Sequence, residues 1–441
     1  MALTVKQLNA DASFLLTFEP IVPESIPGVA PRPFRILLDP WITGPSTIFH
    51  SKLSITTHKE TPCVCSLQQL PEPDLVIISQ HKSDHCNEVT LKQLPASGTR
   101  TLILAEPSAA KVIRSWKHFE KDKVHTIPRW EDHQVTGRQS VIRVKVPPFI
   151  PGGEFGEVSV AFIPQRRDLK GLHAAIGITY RPPPTWPRFT HLLTPPDTPV
   201  SQHHNSQLSL SQSPTAARTK AEPTYISLPT PPETPSTQSL RSVRSATSIP
   251  PTTDPRDRAI SVLFSPHGIS YHCLRQYTSS HLATEAALPL TALLHCFDTV
   301  SNPWWLGGNI SAGMPTGQET AMALGAKAWI STHDGDKDVR GLATRMLRTR
   351  KYAQKEVADV VSPVSKSSSR VNREKAGSEG SGKSTDVLVL GVGEEVAMTR
   401  EGVWNVEPKA RIIPPRSFAH IEKTLSGRAR GRNLSPIITR M

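Results

Sequence analysis

The sequence predicts a mixed α/β protein, rich in β-strands with helices interleaved, whose strands end in polar clusters. Three observations predict it. Short runs of Val, Ile and Leu, such as LVII (75–78) and TLIL (101–104), are bounded by turn residues, as buried strands are. Stretches with helical spacing separate several of these runs. His and Asp recur directly after the apolar runs, at Asp39, Asp84, His85, His267, Asp298, His333 and Asp334.

Taken in order, the alternation of apolar and polar residues from Leu3 to Phe18, broken at Asn9-Ala-Asp11, predicts a β-hairpin. Phe34 to Trp41 is a strand that ends in a carboxylate, Asp39. Leu75 to Ser79 and Thr101 to Leu104 are buried strands, with helices at Asn87 to Leu94 and Ser108 to Lys117. Val141 to Val146, Glu157 to Phe162 and Ala175 to Tyr180 read as consecutive antiparallel strands. Ala259 to Phe264, Ala292 to Asp298 and Ala328 to Ser331 follow as strands, with a helix over Gln318 to Ala326 and another ending near Val357. Asp386 to Leu390 and Glu395 to Thr399 read as a final β-pair joined through Gly391-Val-Gly393.

With 441 residues the chain has room for one large domain or two ordinary ones, at roughly 100–200 residues each. Its 42 prolines are about twice the usual share of roughly 5%, and they concentrate in one place. Residues 183–256 are rich in Pro, Ser and Thr, with TPPDTP and TPPETP as near-repeats; so polar a stretch cannot bury enough apolar surface to offset its chain entropy and is expected to be a disordered insertion. The expected plan is one domain built from 1–182, 257–360 and 386–408, with a polar linker at 361–385 and a basic tail at 409–441. That tail carries eight Lys or Arg against Glu422, so much of the +13 net charge is terminal and is expected to be a solvated arm.

Cys63, Cys65, Cys86, Cys273 and Cys296 are odd in number and scattered, which excludes a dense secreted disulfide framework and points to reduced thiols in an intracellular compartment. The N-terminus lacks the charged start, apolar run and cleavage site of a secretion signal, and no run approaches the roughly 18–20 apolar residues of a membrane span. The expected location is therefore the cytoplasm. Gly377-Ser-Glu-Gly-Ser-Gly-Lys383-Ser384 fits the letters of a phosphate-binding loop, but a linker precedes it and a strand follows it. That order is the reverse of the strand-to-helix context in which backbone amides converge on phosphate, so no nucleotide site is expected.

The loop ISQHKSDHC (78–86) places His81, Asp84 and His85 at the end of a buried strand, where ligands are held rigidly. Zinc and related ions favour neutral imidazole and carboxylate ligands. Singly, each of these residues has a plain structural use, as a helix cap or a backbone partner. As an ordered series with Asp39, His267 and His333 they resemble the metallo-β-lactamase superfamily, in which an Asp ends an early strand, a loop HxHxDH follows the next, and later strands deliver a His, an Asp and a last His. ILLDPWIT (36–43) is similar to the Asp-bearing strand of the branch that includes ascorbate-phosphate lactonase and N-acyl phosphatidylethanolamine phospholipase D. STHD (331–334) looks like the last histidine of that series, SPHG (265–268) occupies the neighbourhood of the later Asp, and NPWWLGGNI and THDGDKD are similar to fungal-type members. The chain departs at the ligands themselves: Gln80 and Lys82 stand for the two leading histidines, and Gln165, with His173 eight positions on, stands near the central one.

The resemblance implies a four-layer αββα sandwich, and hydrolysis of an ester, lactone or phosphodiester by metal-activated water. The metal, zinc or another divalent ion, would be held by Asp84, His85 and His333 with Asp39 or His267 in support, and Asp84 is the candidate catalytic residue. The alternative is an inactive binding or scaffold protein whose degenerate site is filled by the Lys82 ammonium, paired with Asp84 or Asp39. Small-molecule or lipid-like substrates and protein partners of the Pro-rich insertion fit this picture; nucleic acid is not an expected partner.

Overall fold

The structure is a computed structural model that describes residues 1–20, 32–47, 52, 54–149, 152–168, 170–184, 225–226, 228, 259–306, 308–341, 344–362 and 385–404. All of these fall within one compact unit, Met1–Trp404. Runs such as LVII are continuously apolar because both faces of their sheet are covered: Leu75 and Ile77 point into one core while Val76 and Ile78 point into another.

Two eight-stranded sheets make up the body. The first runs in the order Gly402–Val403, Glu395–Thr399, Ala2–Gln7, Phe14–Glu19, Phe34–Leu38, Leu75–Ile78, Leu102–Ala105, Val124–Thr126. The second runs Tyr225–Ile226, Ile142–Val146, Gly156–Pro164, Ala174–Arg181, Ile260–Ser265, Ala292–His295, Ala328–Ile330, Asp386–Leu388. Each sheet is antiparallel in its early hairpins and parallel where crossovers carry helices. Inward-facing residues of both sheets, among them Phe14, Phe18, Ile36, Ile178, Tyr180 and Phe264, form the central core, and Phe18 stacks on Tyr180 across it.

Helices cover the two outer faces. Pro107–Ser115, with Pro at its start and Glu106 accepting from Ser108 and Ala109 amides, packs Ala109, Ala110 and Ile113 on the first sheet. The helices Tyr271–Tyr277, Gly313–Leu324 and Gln354–Val361 cover the second through Leu274, Tyr277, Ala321, Leu324, Val357 and Val361. The layers are thus helix, sheet, sheet, helix, the mixed α/β arrangement the sequence predicts. No helix of the described residues is long and apolar enough to cross a membrane.

Three expectations need correction or addition. Asp386–Leu388 and Glu395–Thr399 are not a pair: the first extends the second sheet beside Ala328–Ile330, and the second joins the first sheet beside Ala2–Gln7. Gly391 to Gly393 therefore links the two sheets, a long-range choice invisible to local alternation. The segment after His333 is not helical up to Val357; it first forms the strands Lys337–Arg340 and Arg348–Arg350, and the helix begins only at Gln354. Within the Pro-rich stretch, Tyr225–Ile226 adds a short parallel strand beside Ile142–Val146; the rest of 185–256, apart from Leu228, lies outside the described residues, as do 363–384 with the Gly-rich motif and 405–441 with the basic tail.

Candidate metal centre

Ligand-bearing ends converge because parallel strands of both sheets finish at the same edge of the sandwich, where the exposed strand ends give way to loops. Phe34–Leu38 delivers Asp39, Leu75–Ile78 delivers the loop to His85, Ile260–Ser265 delivers His267, and Ala328–Ile330 delivers His333. Two of these positions hold left-handed backbone on non-glycine residues, Asp39 at φ 39° and His333 at φ 65°. Such conformations are unfavourable and persist where the surroundings hold them.

His85, His267 and His333 offer ring nitrogens that all lie within 4.8 Å of one another. Nε2 of His85 is 3.1 Å from Nε2 of His267. Each ring is fixed from behind through Nδ1. That of His85 lies 2.8 Å from Asp39 Oδ2, and Asp39 also accepts from the Ser79 amide at 2.7 Å and its hydroxyl at 2.5 Å. The Nδ1 of His267 donates to the Ile310 carbonyl at 3.0 Å. His333 Nδ1 lies 2.6 Å from Asp11 Oδ1, which also meets the Lys337 ammonium at 2.7 Å. An ionised carboxylate only accepts, so in His85 Nδ1 carries the proton and Nε2 is left as a lone pair toward the middle; Nδ1 of His333 faces both the Asp11 carboxylate and the Lys337 ammonium, 3.2 Å away. A buried carboxylate or carbonyl behind each imidazole is the arrangement that orients metal-binding histidines.

Electrostatics divide the three rings. Burial pulls His85 down, but Asp84 and Asp39 outweigh it and leave its pKa above the ordinary value. Burial and the neighbouring imidazoles drive His267 well below the usual range. His333 is lowered by burial and by Lys337, against the pull of Asp11. Asp11 itself is held below the carboxylate range: burial raises it, and His333 and Lys337 more than reverse that.

The donor set fits a divalent ion. Two nitrogens bound at roughly 2.0–2.1 Å to a tetrahedral ion stand about 3.3 Å apart, close to the 3.1 Å seen between His85 and His267. Two facing lone pairs at that distance repel unless a cation lies between them; a proton on His85 and a metal ion compete for that place.

Of the residues the sequence singled out, His85, His267 and His333 come together, with His267 a full member of the trio. Asp84 stands beside it, its Oδ2 4.0 Å from His85 Nε2 and its buried Oδ1 without a hydrogen-bond partner among the described residues. Asp39 stands behind His85. Gln80 turns its amide to the Leu172 carbonyl at 3.1 Å, and the Lys82 carbonyl accepts from the His85 and Cys86 amides in the turn. His81 lies 3.6 Å from Glu106, away from the trio. His173 grips the carbonyls of Gly268 and Asn309, bracing the loop after His267. Asp298 and Asp334 are spent on backbone: Asp298 accepts from Tyr352, and Asp334 accepts from Phe297 and Asp298 and from the Ser331 hydroxyl, with burial pushing its pKa to about 7.

Sequence reading missed Asp11 and Lys337. Asp11 lies in the first hairpin turn, which Ser13 ties to the Asp39 carbonyl and the Trp41 amide. Lys337 begins a strand that pairs with Ile55–His58 and roofs this edge. The two meet because Gly335 lies flat on Ala10: a Cβ there would fall 1.5 Å from the Ala10 carbonyl oxygen.

Residues 31–169 match the family described as Beta-lactamase superfamily domain, a span that holds Asp39 and the Gln80 to His85 loop and ends before His267 and His333. Among solved structures, the chain is similar to Igni18, a novel metallo hydrolase from the hyperthermophilic archaeon Ignicoccus hospitalis KIN4/I. The identity is 11%, the match covers 90% of this chain and 99% of that one, and the TM-score is 0.40. No curated protein matches the chain.

Proposed function

We propose that the chain is a metal-dependent hydrolase of an ester, lactone or phosphodiester, in which His85, His267 and His333 hold one divalent ion and Asp84 works beside it. The observation that carries this reading is the convergence of three imidazoles, each met at Nδ1 from behind, whose ring nitrogens lie within 4.8 Å of one another, with the Nε2 atoms of His85 and His267 facing at 3.1 Å. A bound divalent ion would supply Lewis acidity toward a carbonyl or phosphoryl oxygen and toward water.

The chain's own residues set the rest. Asp39, Asp11 and the Ile310 carbonyl fix the rings, so little reorganisation is left to binding. Asp84, with a buried Oδ1 that no described residue occupies, is placed to accept a proton from the attacking water as general base. Small-molecule and lipid-like esters both suit such chemistry.

Chelator-treated protein reloaded with zinc, iron or manganese is expected to hold close to one ion per chain and to hydrolyse p-nitrophenyl acetate or bis(p-nitrophenyl) phosphate. His267→Ala should lose both, and Asp84→Ala should lose turnover more than metal. The inactive scaffold reading draws on Gln80 and Lys82 at motif histidine positions. A native chain that stays metal-free after reloading would support it and end the hydrolase reading.

A further inference from the structure

We propose that the tip of the hairpin at 299–311 docks the protein onto an anionic lipid bilayer. Strands Thr299–Ser301 and Asn309–Ser311 form this hairpin, and a 3-10 turn, Trp304–Leu306, crowns it. Trp304 is 87% exposed and Trp305 60%, the first the most exposed large apolar side chain among the described residues. Backbone bonds close the tip beneath them: the Asn302 amide donates to the Gly308 carbonyl at 2.8 Å, and the Gly308 amide donates back to the Pro303 carbonyl at 3.0 Å. Gly308 takes the left-handed conformation, φ 61°, that closes this loop.

Charge gathers at the same end. Arg348–Arg350 is the third strand of this small sheet, and its register sets Arg348 opposite Ser301, so Arg345 and Met346 enter from the tip side. Arg345, Met346 and Arg348 are exposed, and among the described residues neither arginine has an ion pair.

The geometry selects the occupant. Consecutive residues on a 3-10 turn diverge by roughly 120°, so one flat pocket or one stacked base cannot take both indoles. A bilayer interface is not directional and takes both: indoles settle at headgroup depth with the N–H toward water, while each arginine gains from anionic headgroups. Because Ile310 on this hairpin holds His267, docking brings the histidine trio toward the bilayer. The proposal does not depend on the metal reading.

The test uses the full chain with vesicles of phosphatidylcholine, with and without phosphatidylserine, some carrying brominated acyl chains. The basic tail at 409–441 attracts the chain to anionic vesicles by charge alone, so bromine quenching, which reads only indoles near the acyl region, decides the matter. Native protein should show quenched, blue-shifted fluorescence. Trp304→Ser/Trp305→Ser should lose the quenching and partition about tenfold more weakly, with an unchanged melting temperature. Arg345→Ser/Arg348→Ser should weaken partitioning by roughly fivefold per charge on anionic vesicles only. Absence of quenching in the native chain, full quenching in the tryptophan variant, or quenching by a single-stranded oligonucleotide in place of vesicles would each overturn the proposal.

Discussion

Two groups of histidine differ in what surrounds them. On the helix-covered face of the second sheet, His281 meets the Ser159 hydroxyl and stacks on Tyr277, while His295 faces the Cys296 carbonyl and the Thr316 hydroxyl. Burial pushes each of these to a pKa of about 4, and among the described residues neither ring packs against another imidazole. At the edge of the sandwich, His85 and His267 are buried as deeply and His333 is partly buried, but their neighbours are one another. Burial, then, does not mark a ligand; what marks one is a ring tied from behind whose remaining nitrogen faces other donors.

Removing one member of each group should break the comparison most widely. His267→Ala or His333→Ala is expected to take bound zinc from near one ion per chain to none, whereas His295→Asn, buried like His267, should keep it; equal loss in all three, measured by elemental analysis, would erase the distinction. Next in size is Gly335→Ala. The added Cβ would fall 1.5 Å from the Ala10 carbonyl oxygen, a backbone atom that cannot swing away, so the 333–337 loop must lift from Asp11. We expect a loss of about 3 kcal/mol or more in denaturant unfolding, accompanied by weaker zinc binding. Native-like stability would show that the loop yields freely.

The sequence carried much of the architecture and about half of the centre. Strand runs such as LVII and the helices over them were legible because burial on both faces leaves no polar residue to confuse the pattern. Asp39, His85, His267 and His333 were legible because they follow strands directly. Asp11 was not: it interrupts an alternating hairpin, where an Asp reads as turn chemistry, and only the tertiary meeting of that turn with the loop after Ala328–Ile330 gives it a partner. Lys337 hid in a polar run, and the separation of Asp386–Leu388 from Glu395–Thr399 depends on which sheet edge lies free, which local sequence does not encode.

The histidines outside the trio carry a pH dependence of known sign. An unfolded histidine titrates near 6.5, and His281 in the fold near 4. Because the folded value is depressed, the stabilisation is complete above about pH 6.5 and is lost as pH falls toward 4, by roughly 3 kcal/mol. His281→Gln should narrow the difference between unfolding stabilities at pH 7 and pH 4.5 in metal-free protein, while His295 keeps its own share of it. A pH difference of the same size in the native chain and the variant would mean that His281 is not held neutral.

The smallest expected effect, a several-fold change in zinc affinity, separates the two carboxylates that stand behind the trio. Asp39 is surrounded by neutral donors from Ser79 besides His85, whereas Asp11 shares its charge between His333 and the Lys337 ammonium, which also lies 3.2 Å from His333 Nδ1. Lys337 thus drains electron density that Asp11 would otherwise lend through the imidazole, and it places a positive charge near the ion's position. Lys337→Met should leave Asp11 a buried, poorly paired anion and lower the stability of the metal-free chain by about 3 kcal/mol. It should nevertheless tighten zinc binding several-fold. Asp11→Asn should instead weaken zinc 10–100-fold, the usual effect of removing a partner behind a ligand. Chelator competition with zinc and unfolding of the metal-free protein read the two quantities separately. If Lys337→Met weakens zinc in proportion to the stability it loses, Lys337 merely holds the loop in place; opposite signs in the two measurements show that it tunes His333.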